Sequence, residues 1–174
     1  RHTSDTWIVD FGTKMSEADA ALYEAPFGYV LEHVKPAREM NNREAYRKYW
    51  WRHAEARPGM RAALQGLTRY IATPETAKHR LFVWAPQSVL PDQTTIAIAR
   101  SDDATFGVLH SRFHEVLTMA LGSPYGSHPT ARRYNATRTF ETFPFPEGMT
   151  PKDVSLQTPT PLDPPLSGGK AAVV

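Results

Sequence analysis

Two short segments of this chain are rich in arginine, lysine, tyrosine and asparagine, residue types that bind nucleic acids. These residues are Arg69, Tyr70, Lys78, His79 and Arg80 in the first segment, and Arg132, Arg133, Tyr134, Asn135 and Arg138 in the second. A guanidinium group binds phosphate or a guanine edge, asparagine matches an adenine edge, and tyrosine stacks or donates to phosphate. Together the segments predict a surface that contacts phosphates and base edges.

Two histidines form a second pattern that could do chemistry. His110 and His114 are four residues apart in a predicted helix, a spacing that can place two imidazoles on one metal ion. No glutamate follows His110 and no third ligand is indicated, so we favour a packing role for both rings. A free-standing hydrolase that uses these histidines with Asp102 or Asp103 is the less favoured alternative.

The positive charge is unevenly distributed along the chain. The net charge is only +2, yet residues 35–80 hold eleven basic and four acidic side chains, and residues 132–138 hold three arginines and no acid. If folding brings these two stretches to one face, they form an electrostatic footprint for a polyanion. The alternative for a single basic run is a solvated helical face.

Composition limits the class of protein. The 174 residues are 41% apolar and 22% charged, which is ordinary for a soluble globular protein with one core. No run reaches eighteen apolar residues, so we expect no membrane span. Cysteine is absent, which excludes disulfides and thiolate zinc sites and fits a cytoplasmic location. The first residue is Arg and no leader sequence follows, so we expect a piece of a longer protein.

The N-terminal part is predicted to be mostly helical. Thr6–Phe11 reads as a short strand, and Ser16 with Asp19 resembles a capping box that opens a helix through about residue 25. Pro26 is expected to break or restart this helix, with a second stretch reaching about residue 34. Asn42 is a plausible cap for a helix over residues 43–55. Pro58 and Gly66 suit the start and stop of the next helix.

The C-terminal part is predicted to combine strands with one long helix. Strands are expected at residues 69–73, 79–84 and 94–99, and a helix at Ala104–Leu121. The residues of its apolar stripe are Phe106, Leu109, Phe113, Val116, Leu117 and Ala120. Gly122 should close the helix, and Ser123–Thr130 should be a loop. The predicted fold class is α/β (α+β), with a small mixed β-sheet, packed helices and an irregular tail from residue 151.

Eight segments, collinear over about residues 6–150, carry a family resemblance. They are Thr6–Gly12, Met15–Pro26, His33–Pro36, Tyr49–Trp51, Arg69–Pro74, His79–Trp84, Phe106–Glu115 and Thr139–Pro146. They resemble the target-recognition region of MmeI-like, type IIG-like bacterial N6-adenine DNA methyltransferases, which serve restriction–modification or phage defence. The family also has a helical segment after this region, whereas Leu156–Val174 does not read as a helix.

The resemblance implies sequence-specific recognition of double-stranded DNA by a fragment that is not itself catalytic. Residues 1–40 would join a preceding methyltransferase domain, which holds S-adenosylmethionine in the parent enzyme. Residues 41–150 would be the recognition domain, and residues 151–174 a tail. Base-reading side chains would come from the turn near Tyr70, the turn at Asp92 and Gln93, and the loop Ser123–Arg133.

Two points stay open at this stage. Arg112 could contact a phosphate or pair with a local carboxylate. A different class of function also fits the charge pattern, namely a basic protein-interaction or scaffolding domain that meets an acidic partner and has no preference among DNA sequences.

Overall fold

The chain is an α+β protein, as its sequence predicts. The computed structural model describes residues 7–125, 128–150 and 153. Contacts between Cα atoms divide the described chain into two compact units, a first unit of residues 7–62 and a second unit that begins at Ala63. The division falls after Ala62, whereas the sequence places a domain boundary after residue 40. Apart from Asp153, the predicted tail lies outside the described residues.

The first unit is built from short helices. They are α1 (Glu17–Ala21), α2 (Glu24–His33), α3 (Lys35–Glu39), α4 (Glu44–Lys48) and the start of α5 (Pro58–Leu64), which runs across the division. The predicted capping box is confirmed, because Ser16 Oγ accepts from the Asp19 backbone N–H at 3.1 Å and donates to its carboxylate at 2.6 Å. Gly66, with φ +85°, follows α5 in the left-handed conformation that favours glycine.

Three predictions for the first unit are wrong. Residues 7–11 form no strand, because Phe11 turns into a helical core and residues 7–62 contain no strand to pair with it. The chain breaks at Leu22 and Tyr23, while Pro26 sits in the first turn of α2, where proline is tolerated. The helix expected over residues 43–55 is only α4, capped by Arg43 rather than Asn42.

Aromatic residues form the core of the first unit. Phe11, Trp50 and Trp51 are buried with Ala20 and Val30. The two tryptophan rings meet edge to face at 6.0 Å between centroids, a favourable geometry for aromatic pairs. Because Trp50 and Trp51 directly follow α4 and must both enter the core, the chain cannot continue as the predicted helix.

Two small antiparallel sheets belong to the second unit, rather than one mixed sheet. The strands are β1 (Arg69–Pro74), β2 (Thr76–Ala77), β3 (Val83–Pro86), β4 (Thr95–Ile98), β5 (Ser123–Tyr125) and β6 (His128–Arg133). The orders are β3-β1-β4 and β2-β6-β5. The predictions for β1 and β4 are confirmed, while β3 starts later than predicted and leaves Leu81 exposed.

The long helix predicted over Ala104–Leu121 is two helices, α6 (Asp103–Leu109) and α7 (Arg112–Leu121). Asp102 caps α6 by accepting from the Thr105 backbone N–H at 2.7 Å. Ser111 starts a new helix by accepting from the His114 backbone N–H at 3.2 Å. The break changes the helical phase, so the predicted apolar stripe does not continue into the core. Phe113 is 82% exposed, whereas His114 is fully buried.

Within the predicted loop Ser123–Thr130, residues 123–125 belong instead to β5 and residues 128–130 to β6, which pair as a hairpin. The register between the two strands shifts after Pro124, so Pro129 falls where the ladder is irregular and a missing N–H is tolerated. Gly122 lets the chain turn from α7 into β5, as predicted for the helix end. An added Cβ there would lie 2.6 Å from the Thr118 carbonyl oxygen and 3.0 Å from that of Arg133, so the close approach requires glycine.

The core of the second unit lies between the first sheet, α6 and the segment after β6. Ile71, Phe82, Ile98, Leu109 and Tyr134 are its buried members. A π-helical turn at Ala136–Phe140 follows Tyr134. Within the described ranges, no helix combines the length and apolar character needed to cross a bilayer.

Candidate nucleic-acid interface

The second sheet brings the two predicted binding segments together. β2 and β6 pair in antiparallel register, with Thr76 opposite Arg133 and Ala77 opposite Arg132. Lys78 and His79 follow β2 directly, and both are exposed. The two basic segments, more than fifty residues apart in sequence, are therefore hydrogen-bonded neighbours. We use the name basic edge for the cationic residues that lie on or directly after these two paired strands. They are Lys78 and His79 after β2, Arg132 and Arg133 on β6, and Arg138 in the turn that follows β6.

Arg80 lies beside this edge but is engaged by the protein itself. Its Nη2 donates to the Arg132 carbonyl oxygen at 2.9 Å, and its Nη1 donates to Thr73 Oγ1 at 3.2 Å and to the Pro74 carbonyl oxygen. Burial lowers the pKa of the guanidinium, although an arginine stays charged near neutral pH. This corrects the prediction that Arg80 contacts phosphate: it ties β6 to the end of β1.

The two predicted stacking tyrosines are core residues. Tyr70 is fully buried and donates to the Val89 carbonyl oxygen at 3.1 Å, and burial raises the pKa of its phenol to about 12. Tyr134 is also buried, and its hydroxyl lies 3.2 Å from His114 Nε2. Desolvation raises the pKa of Tyr134 above its ordinary value. Neither ring can stack on a base from this position, which corrects both assignments.

Both histidines of the metal-like pair make hydrogen bonds within the protein. His114 Nδ1 lies 3.0 Å from the Leu109 carbonyl oxygen, so Nδ1 carries the proton and Nε2 accepts from Tyr134. Desolvation lowers the pKa of His114 to about 4. His110 Nδ1 lies 3.0 Å from the Phe106 carbonyl oxygen, and its Nε2 accepts from the Phe82 backbone N–H at 3.4 Å. These bonds support the packing role.

Among the residues that the structure describes, no group of three or more histidine, cysteine or acidic side chains could hold a metal ion. Asp102 and Asp103, the carboxylates of the hydrolase alternative, are also engaged. Asp102 caps α6 and pairs with Arg100 at 2.8 Å, and Asp103 pairs with Arg69.

Three of the predicted arginine contacts form ion pairs. Arg69 Nη2 lies 2.9 Å from Asp103, and its guanidinium stacks over Trp84 at 3.8 Å from the ring centre. Arg133 Nε lies 3.2 Å from Glu75. Arg112 pairs with Glu115 at 2.6 Å, so the structure has the local carboxylate rather than a phosphate at this position. The Arg112 side chain is 79% exposed, and such surface pairs contribute little stability.

The predicted polar reading residues shape turns. Asp92 accepts from the Thr94 backbone N–H at 2.9 Å, and Gln93 is exposed at the tip of the same turn. Asn135 caps the π-helical turn, accepting from the backbone N–H groups of Thr137 at 3.0 Å and Arg138 at 3.3 Å. The side-chain oxygens of Asp92 and Asn135 are therefore occupied, whereas Gln93 is accessible.

Within residues 63–125 and 128–150, Lys78, His79 and Arg138 make no side-chain hydrogen bond or ion pair with another described residue, and all three are exposed. Arg132 is partly buried, with Nε lacking an acceptor and Nη1 3.4 Å from the Gly122 carbonyl oxygen. The available cations of the basic edge are thus fewer than its sequence predicts.

Four residues of interest are not predicted from the sequence. Glu75 has a carboxylate that pairs with Arg133, and Arg38, Tyr46 and Arg52 line a cavity in the first unit. The density of arginine and tyrosine between residues 38 and 52 was the signal for the cavity.

Comparisons of the chain with protein-family models, with curated proteins and with solved structures found no match. The geometry of the basic edge and the resemblance of the short sequence segments are therefore the observations that bear on function.

Proposed function

We propose that this chain binds double-stranded DNA and recognises its sequence, as the target-recognition part of an N6-adenine DNA methyltransferase of a restriction–modification or phage-defence system. The observation that carries the proposal is the pairing of β2 with β6, which joins the two basic segments in one sheet. The parent's methyltransferase domain would be its partner in the chain and would hold S-adenosylmethionine. The cytoplasm, where chromosomal DNA is accessible, is the proposed location.

Charge and rigidity both support binding along the basic edge. Lys78 and Arg138 have free cationic groups, which suit phosphate. The Arg133–Glu75 pair is partly exposed, so its guanidinium can exchange the carboxylate for a phosphate at small cost. Arg80 and Tyr134 hold the strands in place beneath this surface. A fixed scaffold that presents cations is the arrangement that favours a defined register on a duplex.

The hairpin of β5 and β6 suits the reading of bases. A two-stranded antiparallel ribbon fits the major groove, where each base pair presents a distinct pattern of donors and acceptors. Ser123 and Tyr125 of β5 are exposed, and Arg132 and Arg133 lie on the partner strand. In this proposal the hairpin contacts base edges, while Lys78 and Arg138 contact the phosphate backbone.

Selection from a pool of random duplexes tests the proposal. The 174-residue chain is mixed with the pool, and bound duplexes are recovered and sequenced. We expect one enriched motif that contains an adenine, and a different or lost motif when residues 123–133 are exchanged for another hairpin. Replacing Gln87 and Ser88, which are exposed in the turn after β3, with glycine is the matched control and should leave the motif unchanged. Absence of any enriched motif would contradict sequence-specific binding.

The outer face of α7 favours the second candidate function, a protein-interaction domain. Phe113, Val116, Met119 and Leu121 are exposed large apolar residues on or at the end of this helix. Exposed apolar patches often mark interaction sites. This candidate predicts that duplexes of every sequence bind equally weakly, so the same selection distinguishes the two.

A further inference from the structure

The first unit contains a cavity of about 330 Å³, which is within the range of small ligand sites. Its lining residues are Thr13, Arg38, Ala45, Tyr46, Tyr49, Arg52, His53, Ala54 and Ala56. Two arginines and a histidine are among these nine described residues, and none of the nine is acidic. The wall of the cavity therefore favours an anion.

The guanidinium group of Arg38 has an incomplete set of hydrogen bonds. Its guanidinium lies over the Tyr46 ring, 5.1 Å from the centre, and Nη1 is shielded from solvent without a hydrogen-bond partner in the described chain. A charged donor that is removed from water needs an acceptor, and leaving it without one is unfavourable. Arg38 also lines the cavity, so a small movement of its side chain would let an anion in the cavity supply that acceptor.

Two carboxylates that contact residues of the cavity lining have other partners. Asp10 binds Arg61 through both oxygens, at 2.8 and 3.1 Å. Glu55 accepts from the Tyr46 hydroxyl at 3.4 Å. His53 Nε2 lies 4.0 Å from Asp10 and also has no hydrogen-bond partner. The cavity lining thus contains two arginines, and Arg38 forms no ion pair with a carboxylate of the described residues.

Arg52 gives the cavity a rigid second side. Its Nε and Nη2 donate to the Met15 carbonyl oxygen at 2.9 and 2.5 Å, and its Nη1 donates to that of Thr13 at 2.9 Å. Its guanidinium also lies 4.9 Å from the centre of the Tyr49 ring. These contacts fix the orientation of the group, and a guanidinium has five N–H donors, so some remain for a ligand.

We propose that this cavity binds a phosphate group, with Arg38 as the principal ligand and Arg52, His53 and Tyr46 around it. Planar guanidinium groups match the oxygens of phosphate in a fork, and stacking on an aromatic ring orients them in advance. The proposal does not depend on the function of the basic edge. The phosphate belongs either to a free nucleotide or to the backbone of a DNA strand.

Calorimetric titration of the whole chain tests the site with four probes: inorganic phosphate, adenosine monophosphate, adenosine and a short DNA duplex. We expect phosphate and adenosine monophosphate to bind one site per chain and adenosine not to bind. Arg38→Gln should weaken the phosphate-bearing probes about tenfold, the loss typical of a hydrogen-bonded charged contact. Arg57→Gln, an exposed arginine outside the cavity lining, is the matched control and should change nothing.

The ranking of the probes identifies the source of the phosphate. Tighter binding of adenosine monophosphate than of the duplex, lost in Arg38→Gln, assigns a free nucleotide. Tighter binding of the duplex, with the same loss, assigns a strand phosphate. A melting temperature that rises with phosphate in the unmodified chain and in Arg38→Lys, but not in Arg38→Gln, provides a second measurement.

Two results would overturn the proposal: no saturable binding of any phosphate-bearing probe, or equal binding by folded Arg38→Gln. Loss of the duplex motif with intact phosphate binding would instead count against the proposed function alone.

Discussion

The two units hold their cations in different ways. Residues 7–62 carry nine basic and eight acidic side chains and residues 63–150 carry eight and seven, so each has a net charge of +1. In the first unit, cations stack on aromatic rings: Lys35 on Trp50, Arg38 and Arg43 on Tyr46, and Lys48 and Arg52 on Tyr49. In the second, Arg69, Arg80 and Arg133 also lie over aromatic rings. In addition, Arg69, Arg112 and Arg133 pair with carboxylates, and Arg80 binds carbonyl oxygens.

This difference shows that the net charge of a unit does not reveal which of its cationic side chains are available to bind a ligand. A guanidinium over a ring is held by electrostatic attraction to the ring face, and its N–H groups stay free for other acceptors. A guanidinium in an ion pair or on carbonyl oxygens has fewer of its five N–H donors left for a ligand. Arg38 and Arg80 are the clearest contrast, because one lacks an acceptor and the other has several.

The largest expected effect on stability is the difference between substitutions of Arg80 and Arg38. Arg80→Met removes the donors to the partly buried acceptors of the β1–β6 junction and should lower the free energy of unfolding by about 2 kcal/mol. Arg38→Met removes a guanidinium with an unpartnered donor and should change it by less than about 0.5 kcal/mol. Urea denaturation of both variants gives the two values. Equal losses of unfolding free energy in the two variants would mean that the different bonding of Arg80 and Arg38 has no effect on stability.

Acidification should destabilise the second unit through His114. The unfolded chain binds the proton near pH 6.5, whereas the folded state resists it until about pH 4. The stabilisation is therefore complete above pH 6.5, declines between these values and is fully lost below about pH 4. The loss should reach about 2 kcal/mol by about pH 5. Denaturation curves across this range measure it, and His114→Gln should remove this part of the slope.

A smaller effect is expected at the one bidentate ion pair of the first unit. Burial alone would raise the pKa of Asp10, but its bonds from Arg61 and from the Gly12 backbone N–H hold it below the ordinary value of 3.8. Asp10→Asn should cost about 1 kcal/mol, since the pair is partly exposed.

The contribution of Asp10 is present above pH 3.8 and is lost as the pH falls through its lowered pKa. It thus occupies a more acidic window than that of His114. Asp103→Asn in the second unit breaks a more exposed pair and should cost less than about 0.5 kcal/mol. Urea denaturation of both variants at several pH values measures these losses, and a larger loss for Asp103→Asn would reverse the expected order.

Local signals predict much of the fold. These signals depend only on residues a few positions away in sequence, and the helices and the strand that they predict are present. They are Ser16, Pro58, Gly66 and the alternating residues of β4. The break between α6 and α7 also has a local signal, because Ser111 can cap a helix. The apolar stripe, however, led to the prediction of one continuous helix.

The rest depends on distant partners. His114 can be buried because Tyr134, twenty positions later, lies against its Nε2. Arg80 is internal because β6 supplies the carbonyl oxygen of Arg132. The sequence indicates the residue types of the candidate site, but only the tertiary contacts decide that Lys78 and Arg138 are free while Tyr70 and Tyr134 are core.

Salt-dependent binding to a duplex tests the central claim, that the joined segments form a DNA-binding edge. We predict that the double variant Lys78→Ala/Arg138→Ala lowers the slope of log affinity against log salt by about 2, because each neutralised phosphate contributes about 0.9. Lys14→Ala/Arg57→Ala removes two exposed cations of the first unit and should leave the slope unchanged. An unchanged slope in the folded Lys78→Ala/Arg138→Ala variant would contradict the claim.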